Sequence, residues 1–249
     1  DTGRHLRRLW QSSSPRSADE WVHAADQGGC TPLHLAVEMN HIELFDILVR
    51  AGADVDRSTD DGTTPLLVAA LDGCESMLRA LLDAGADVDK ANDRGMTPLS
   101  MAAQSGHVAV VRTLVEADAD IEKENEQGET PLYVSAQRGH IAIVRALLEA
   151  DVEKDNARDD GTTALWIAAE NGHEEVTRVL FEAYANVNRA KNDDGMTPLC
   201  RAAMRNRVSM VKLLLRATYI AVNKENEQGE SALLLAAVRN HPEVVNILL

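Results

Sequence analysis

One short motif returns along this chain at an almost constant interval, and that periodicity limits the possible folds more than any other property. A Thr or Ser, then Pro or Ala, then Leu begins at Thr31, Thr64, Thr97, Thr130, Thr163, Thr197 and Ser231, giving spacings of 33, 33, 33, 33, 34 and 34 residues. Self-similarity at such a period marks stacked repeats, because one short supersecondary unit cannot bury its apolar faces alone and copies of it can.

The copy around Thr97 shows the internal order. Thr97 is a good helix N-cap, and Pro98 at the first helical position loses nothing, since its missing N–H needed no partner. Leu99, Ala102 and Ala103 fall on one side of a short helix, where the small alanines admit a close neighbour. Ser105-Gly106-His107 ends that helix with a glycine suited to a left-handed turn. Val108, Val110, Val111, Leu114 and Val115 then repeat at helical spacing, and a polar stretch around Ile121, from Asp118 to Gly128, leads to the next copy. That stretch reads as an extended loop or hairpin. Aromatics make up only 3% of a chain that is 45% hydrophobic, so the core must consist of thin layers of small and medium aliphatics, as closely packed helices provide.

The expected fold class is therefore an all-α repeat solenoid, with helix-turn-helix units joined by β-hairpin loops. Residues 21–249 form the array of about seven units, the last truncated. Residues 1–20, with Arg4, Arg7, Arg8, Arg16 and Ser12-Ser13-Ser14-Pro15, form a flexible non-repeat segment in which Leu6, Leu9 and Trp10 supply at most one helical turn over the first unit. The chain begins at Asp1 and stops at Leu249 within an apolar helical run, so it reads as an excerpt of a longer protein.

The segments "DGTTPLLVAALDG", "RGMTPLSMAAQSGH", "QGETPLYVSAQRGH" and "DGTTALWIAAENGH", with later "AGADVD" or "EADADIE" endings, resemble the ankyrin-repeat family over nearly the whole chain, about residues 22–249. The resemblance implies L-shaped units, β-hairpin fingers at roughly a right angle to the helices, and a protein ligand held on the concave side by hairpin tips and first-helix surfaces. It also implies that His34, the one histidine following Thr-Pro-Leu, bonds to the Thr31 hydroxyl or to the turn backbone. Departures from the pattern predict irregularity. Gly52 and Gly85 at helix ends give way to Asp118, Asp151, Tyr184 and Thr218, of which Tyr184 and Thr218 suit a positive φ poorly. Residues are missing after Ala150 and added before Gly161, so loops after the fourth unit should be irregular and the C-terminal half less stable.

No catalytic, metal or cofactor site is expected. His41, His107, His140, His173 and His241 recur once per unit, about 10 Å apart in a helix stack, too far to share a zinc ion at bond lengths of about 2 Å. They read as anchors of the inter-helix turn. Cys30, Cys74 and Cys200 lie in different units with no adjacent base, and their odd number and spacing suit a reducing compartment, cytoplasmic or nuclear. No glycine pattern carries the Gly-Lys-Ser/Thr ending of a phosphate loop, and no apolar run reaches the length of a membrane span. A net charge of -15 repels phosphate backbones, which excludes nucleic acid as the main partner.

The expected function is a protein–protein interaction scaffold that binds another protein or peptide as a monomeric array. The alternative is a targeting or regulatory segment of a larger multidomain enzyme or channel. Candidate partner-binding positions are the first-helix ends Glu38, Leu71, Asp72, Gln104, Arg138, Glu170, Met204, Arg205 and Arg239, together with Arg207. Tyr133 and Trp166, near the starts of the same helices, are either exposed anchors or packed between units. Acidic loop residues, Asp56, Asp89, Glu122 and Glu124 with Asp60, Asp93, Glu126, Asp160, Asp194 and Glu227, would form a negative edge that either steers a basic partner or serves solubility. Against that background, Arg201, Arg205, Arg207, Lys212 and Arg216 occupy a stretch, Leu199 to Ala217, with no Asp or Glu. This positive patch either meets an acidic partner or balances neighbouring acidic loops.

Overall fold

The computed structural model describes residues 21–249, so the expectation for residues 1–20 lies outside the described residues. Seven helix pairs follow one another among the described residues. They are α1 Pro32–Glu38 with α2 Ile42–Arg50, α3 Pro65–Asp72 with α4 Glu75–Asp83, and α5 Pro98–Ser105 with α6 Val108–Glu116. Then come α7 Pro131–Arg138 with α8 Ile141–Glu149, α9 Ala164–Asn171 with α10 Glu174–Glu182, α11 Pro198–Met204 with α12 Val208–Leu214, and α13 Ala232–Val238 with α14 Pro242–Leu248. The chain divides after Ala119 into two compact units, one holding α1 to α6 and the other α7 to α14.

Each first helix begins as its sequence demands. Thr97 is extended (φ -79°, ψ 164°) and its Oγ1 accepts the Ser100 amide at 3.1 Å. The same bond forms from Thr64 to Leu67, Thr130 to Tyr133, Thr163 to Trp166 and Thr197 to Cys200. Gly106 closes α5 at φ 87°, and His107 directs its amide back to the Ala102 carbonyl at 3.1 Å. Where the glycine is absent, Asn40, Asn206 and Asn240 take the same left-handed conformation, which the short amide side chain tolerates. Within each unit, first helices pack on first helices and second on second, as α3 does on α5 and α11 on α13, or α4 on α6 and α10 on α12. The alanines make this possible: Ala69, Ala70, Ala102 and Ala103 are wholly buried.

The second helices close with paired reverse bonds. In α6 the Ala119 amide donates to the Leu114 carbonyl (3.0 Å) and Asp118 to Val115 (3.1 Å), with Asp118 at φ 60°. Tyr184 holds the same left-handed place after α10 at φ 64° although it is a bulky residue, whereas the β-branched Thr218 avoids it because α12 ends early, at Leu214. Left-handed backbone costs a non-glycine residue roughly 1–2 kcal/mol, and the Tyr184 ring is 80% exposed, so little packing offsets that cost. Tyr184→Gly is therefore expected to stabilise the chain by about 1 kcal/mol, read as a Tm rise of about 2–4 °C by calorimetry. An unchanged or lowered Tm would refute the strain assignment.

His34 behaves as its turn requires and also reaches further. The Thr31 amide and hydroxyl both meet Nδ1, at 3.3 and 2.9 Å, which assigns the proton to Nε2, donating to the Thr63 carbonyl of the next repeat at 3.1 Å. Burial holds this imidazole below its ordinary pKa, against opposing effects of the Thr63 carbonyl, Asp26 and Asp61. With the folded value depressed, the neutral ring's contribution is complete above the unfolded value and is lost as pH falls from about 6.5. The wild-type Tm should fall more steeply than that of His34→Ser on going from about pH 7.5 to 5.5. Parallel pH profiles would rule the histidine out as the cause.

The connecting loops are not β-hairpins. The described residues contain no strand, and their one bridge is the isolated pair Ala157–Thr163. A hairpin needs successive rungs, and these loops spend their donors otherwise. Asn92 donates to the Met96 carbonyl (3.1 Å), while its own Oδ1 accepts the Arg94 and Met96 amides, both at 3.0 Å. The turn is thus closed by a side chain. The next amide leaves the loop altogether: Asp93 donates to the Asp61 carbonyl of the preceding repeat at 3.1 Å, as Asp60 does to Gly28, Asn192 to Asp160 and Glu227 to Asp194. Loops stack on loops by single bonds instead of pairing arm to arm. The isolated bridge falls in the loop from Asp151 to Thr163, where residues were lost and gained.

Candidate partner-binding face

The first-helix ends are where side chains escape the packing. In the unit of α1 to α6, Glu38, Leu71 and Asp72 are exposed, and Gln104 is half-buried with a bond of its own. Leu71 leaves 48% of its surface in water. In the unit of α7 to α14, Arg138, Arg205 and Arg239 are exposed, while Glu170, Met204 and Arg207 are half-buried.

Tyr133 and Trp166 are packed between repeats, at 2% and 4% exposure. The Trp166 Nε1–H donates to the Met196 carbonyl at 2.8 Å, and the Tyr133 hydroxyl meets Thr162 Oγ1 at 3.4 Å. Each ring lies under a guanidinium, with Arg158 Cζ 5.5 Å from the Tyr133 centroid and Arg201 Cζ 5.3 Å from that of Trp166, within the range of cation–π attraction. Sequence reasoning gave neither arginine this role. Arg158 comes 25 residues after its ring and Arg201 35 after its own, so no repeat-register signal links the pairs.

Glu170 organises the basic stretch of α11. Its carboxylate pairs with Arg205 NH2 at 2.7 Å and Arg201 Nε at 3.1 Å. Arg207 has no such partner. It stands where other repeats carry histidine, and its guanidinium lies against Gly172 closely enough that a Cβ there would collide with it. Its Nε is buried without a hydrogen-bond partner. Met204, Arg205, Arg207, Arg239 and His241 line one open groove.

The recurrent histidines do more than anchor their own turns. His107 Nε2 meets the Leu71 carbonyl at 2.8 Å, His173 the Gln137 carbonyl at 3.0 Å and His241 the Met204 carbonyl at 3.1 Å, all in the preceding repeat. They tie repeat to repeat. The acidic loops also carry structural duty: Asp56 accepts the Asp87 amide, Glu122 that of Glu153 and Asp155 that of Asn186. Solvation alone does not account for these charges.

Cys30 and Cys74 are poor nucleophiles. Burial, with the charges of Asp26 and Glu38, pushes the Cys30 pKa up to about 11, and burial with Asp72 raises that of Cys74. Among the described residues, no three His, Cys, Asp or Glu side chains gather as a metal-binding group, and no helix is long and apolar enough to cross a membrane.

Within each unit, helix pairs that spend their apolar sides on neighbouring copies and leave polar first-helix ends exposed define a repeat-type module. A model of ankyrin repeats (3 copies) matches residues 56–125, 118–191 and 186–249, and a single ankyrin-repeat model matches 28–60. The chain belongs to the ankyrin-repeat family. It is similar to the crystal structure of the human ASB11 ankyrin repeat domain, with TM-score 0.78 and 28% identity over 88% of this chain and 98% of that one. Because 582 solved chains match, the fold is too widely shared to select a partner. A comparison with curated protein sequences finds no match. The chain is thus a non-catalytic protein-interaction module of the ankyrin type.

Proposed function

We propose that the module binds a protein or peptide partner through its first-helix ends and loop tips, by complementarity and charge steering. The observation that carries this reading is the division of labour along each repeat. Apolar residues such as Leu99, Leu132 and Leu165 are spent on packing, whereas Glu38, Leu71, Asp72, Arg138, Arg205 and Arg239 face water at two adjacent positions at the ends of the first helices. Their identities vary from repeat to repeat, as a recognition row requires and a packing position does not. Asp60, Asp93 and Glu227 lie at loop tips in a chain of net charge -15, which favours a partner segment with basic character against those tips.

Affinity capture with the folded chain, followed by substitution mapping on the captured partner, tests the reading. Leu71→Ala with Asp72→Ala, or Arg138→Ala alone, should weaken binding by about tenfold or more. Asp46→Ala and Asp83→Ala, on exposed second-helix positions, should not. The reverse pattern would transfer the binding face to the second helices.

A further inference from the structure

The groove lined by Met204, Arg205, Arg207, Arg239 and His241 holds more cationic donors than the protein uses. Of the acidic side chains around it, Glu170 is paired with Arg201 and Arg205 and Glu243 with Lys212, while Glu174 accepts a hydrogen bond from the Ser209 hydroxyl. Arg207 and Arg239 enter no ion pair among the described residues, and the run from Leu199 to Ala217 supplies no carboxylate. No intramolecular ion pair among the described residues therefore accounts for these two guanidiniums. The Arg207 Nε is buried without a hydrogen-bond partner, as are those of Arg178 and Arg201, and an unmet buried donor costs about 1–3 kcal/mol.

The register sharpens the point. At the position of Arg207 the repeats of α6, α10 and α14 place His107, His173 and His241, each tied to a carbonyl of the preceding repeat. Arg207 makes no such bond. The exchange removes a structural tie and adds a planar fork of donors, the geometry that matches a carboxylate with two parallel bonds. Glu170 already shows a carboxylate seated between two guanidiniums, those of Arg201 and Arg205.

We propose that this groove is a carboxylate-recognition site for an acidic peptide segment of a protein partner. Arg207 and Arg239 clamp an Asp or Glu side chain, and the half-buried Met204 packs against its stem. The surrounding charge of -15 disfavours long polyanions, so a short acidic stretch is the fitting occupant and not a nucleic acid. The assignment rests on the first-helix reading above and names the partner chemistry of one part of that face.

Panning a random 12-residue display library against the folded chain tests it. Enriched peptides should be rich in Asp or Glu. Their affinity should fall about tenfold in Arg207→Gln/Arg239→Gln, fall partially in Arg207→Lys/Arg239→Lys, and weaken in high salt. Because Arg207 packs on Gly172, Arg239→Gln alone serves as a second variant, with Tm recorded for each. Enrichment of peptides without acidic residues, equal binding to the double variant, preference for a single-stranded oligonucleotide, or no enrichment would overturn the proposal. Neutral peptides that still lose affinity in Arg138→Ala would leave the first-helix reading standing while this one falls.

Discussion

Trp166→Ala is expected to lower the stability of residues 120–249 by about 3–5 kcal/mol, the usual toll for emptying a large aromatic site. Three losses coincide. The ring is 4% exposed and fills the space between α9 and its neighbours. Its Nε1–H satisfies the Met196 carbonyl at 2.8 Å, a group at the neck of the next loop that would otherwise be buried with one bond fewer. Its face supports the Arg201 guanidinium, which in turn pairs with Glu170. Equilibrium urea unfolding followed by circular dichroism measures the sum. Trp166→Phe separates the parts: it keeps most of the volume, drops the N–H, and should cost about 1–3 kcal/mol. If Trp166→Ala shifts the transition by less than about 1 kcal/mol, the ring is a surface group and its packing role is refuted.

Gly62→Ala should cost about 2–4 kcal/mol, and Gly85→Ala only about 1–2 kcal/mol, although both glycines sit at positive φ. Gly62, at φ 80°, lies where the loop before α3 passes the next one, so an added Cβ would come within 2.7 Å of both the Asp93 amide nitrogen and Asp93 Oδ1. The collision involves backbone and cannot be relieved by rotating a side chain. It also disturbs the Asp93 amide bond to the Asp61 carbonyl, at 3.1 Å, which joins the two loops. Gly85, at φ 88°, has open space around its Cβ position, so alanine there suffers only the left-handed backbone. The difference between the two variants isolates the close approach. Equal destabilisation, measured by the same urea transitions, would mean that loop stacking contributes nothing.

The rim of acidic residues has a second role that composition alone does not reveal. Asp56 and Glu122 read in the sequence as part of an acidic edge, yet each also accepts a backbone amide from the repeat that follows, as Asp155 does. The histidines teach the same lesson. Their once-per-unit spacing was legible, and so was the turn they follow, but the bonds of His107, His173 and His241 go to the preceding repeat, 36 residues back for His107 and 37 for His241.

What the amino-acid order determined by itself is whatever a few consecutive residues control. Thr97 with Pro98 starts a helix, Gly106 stops it, and the valines that follow begin another, because N-capping, a fixed proline φ and left-handed glycine act over one turn of chain. The 33-residue recurrence then dictates stacking, since isolated pairs cannot bury two apolar sides. Tertiary structure alone decided the rest. Loops that read as hairpins became single-bonded stacks once Asn92 closed its own turn, and Tyr133 and Trp166 went inside once Arg158 and Arg201 covered them. Those outcomes hinge on partners some 25 to 35 residues away in sequence. No local propensity reaches that far, and the choice falls to packing geometry and to which donors and acceptors the stacked repeats bring together.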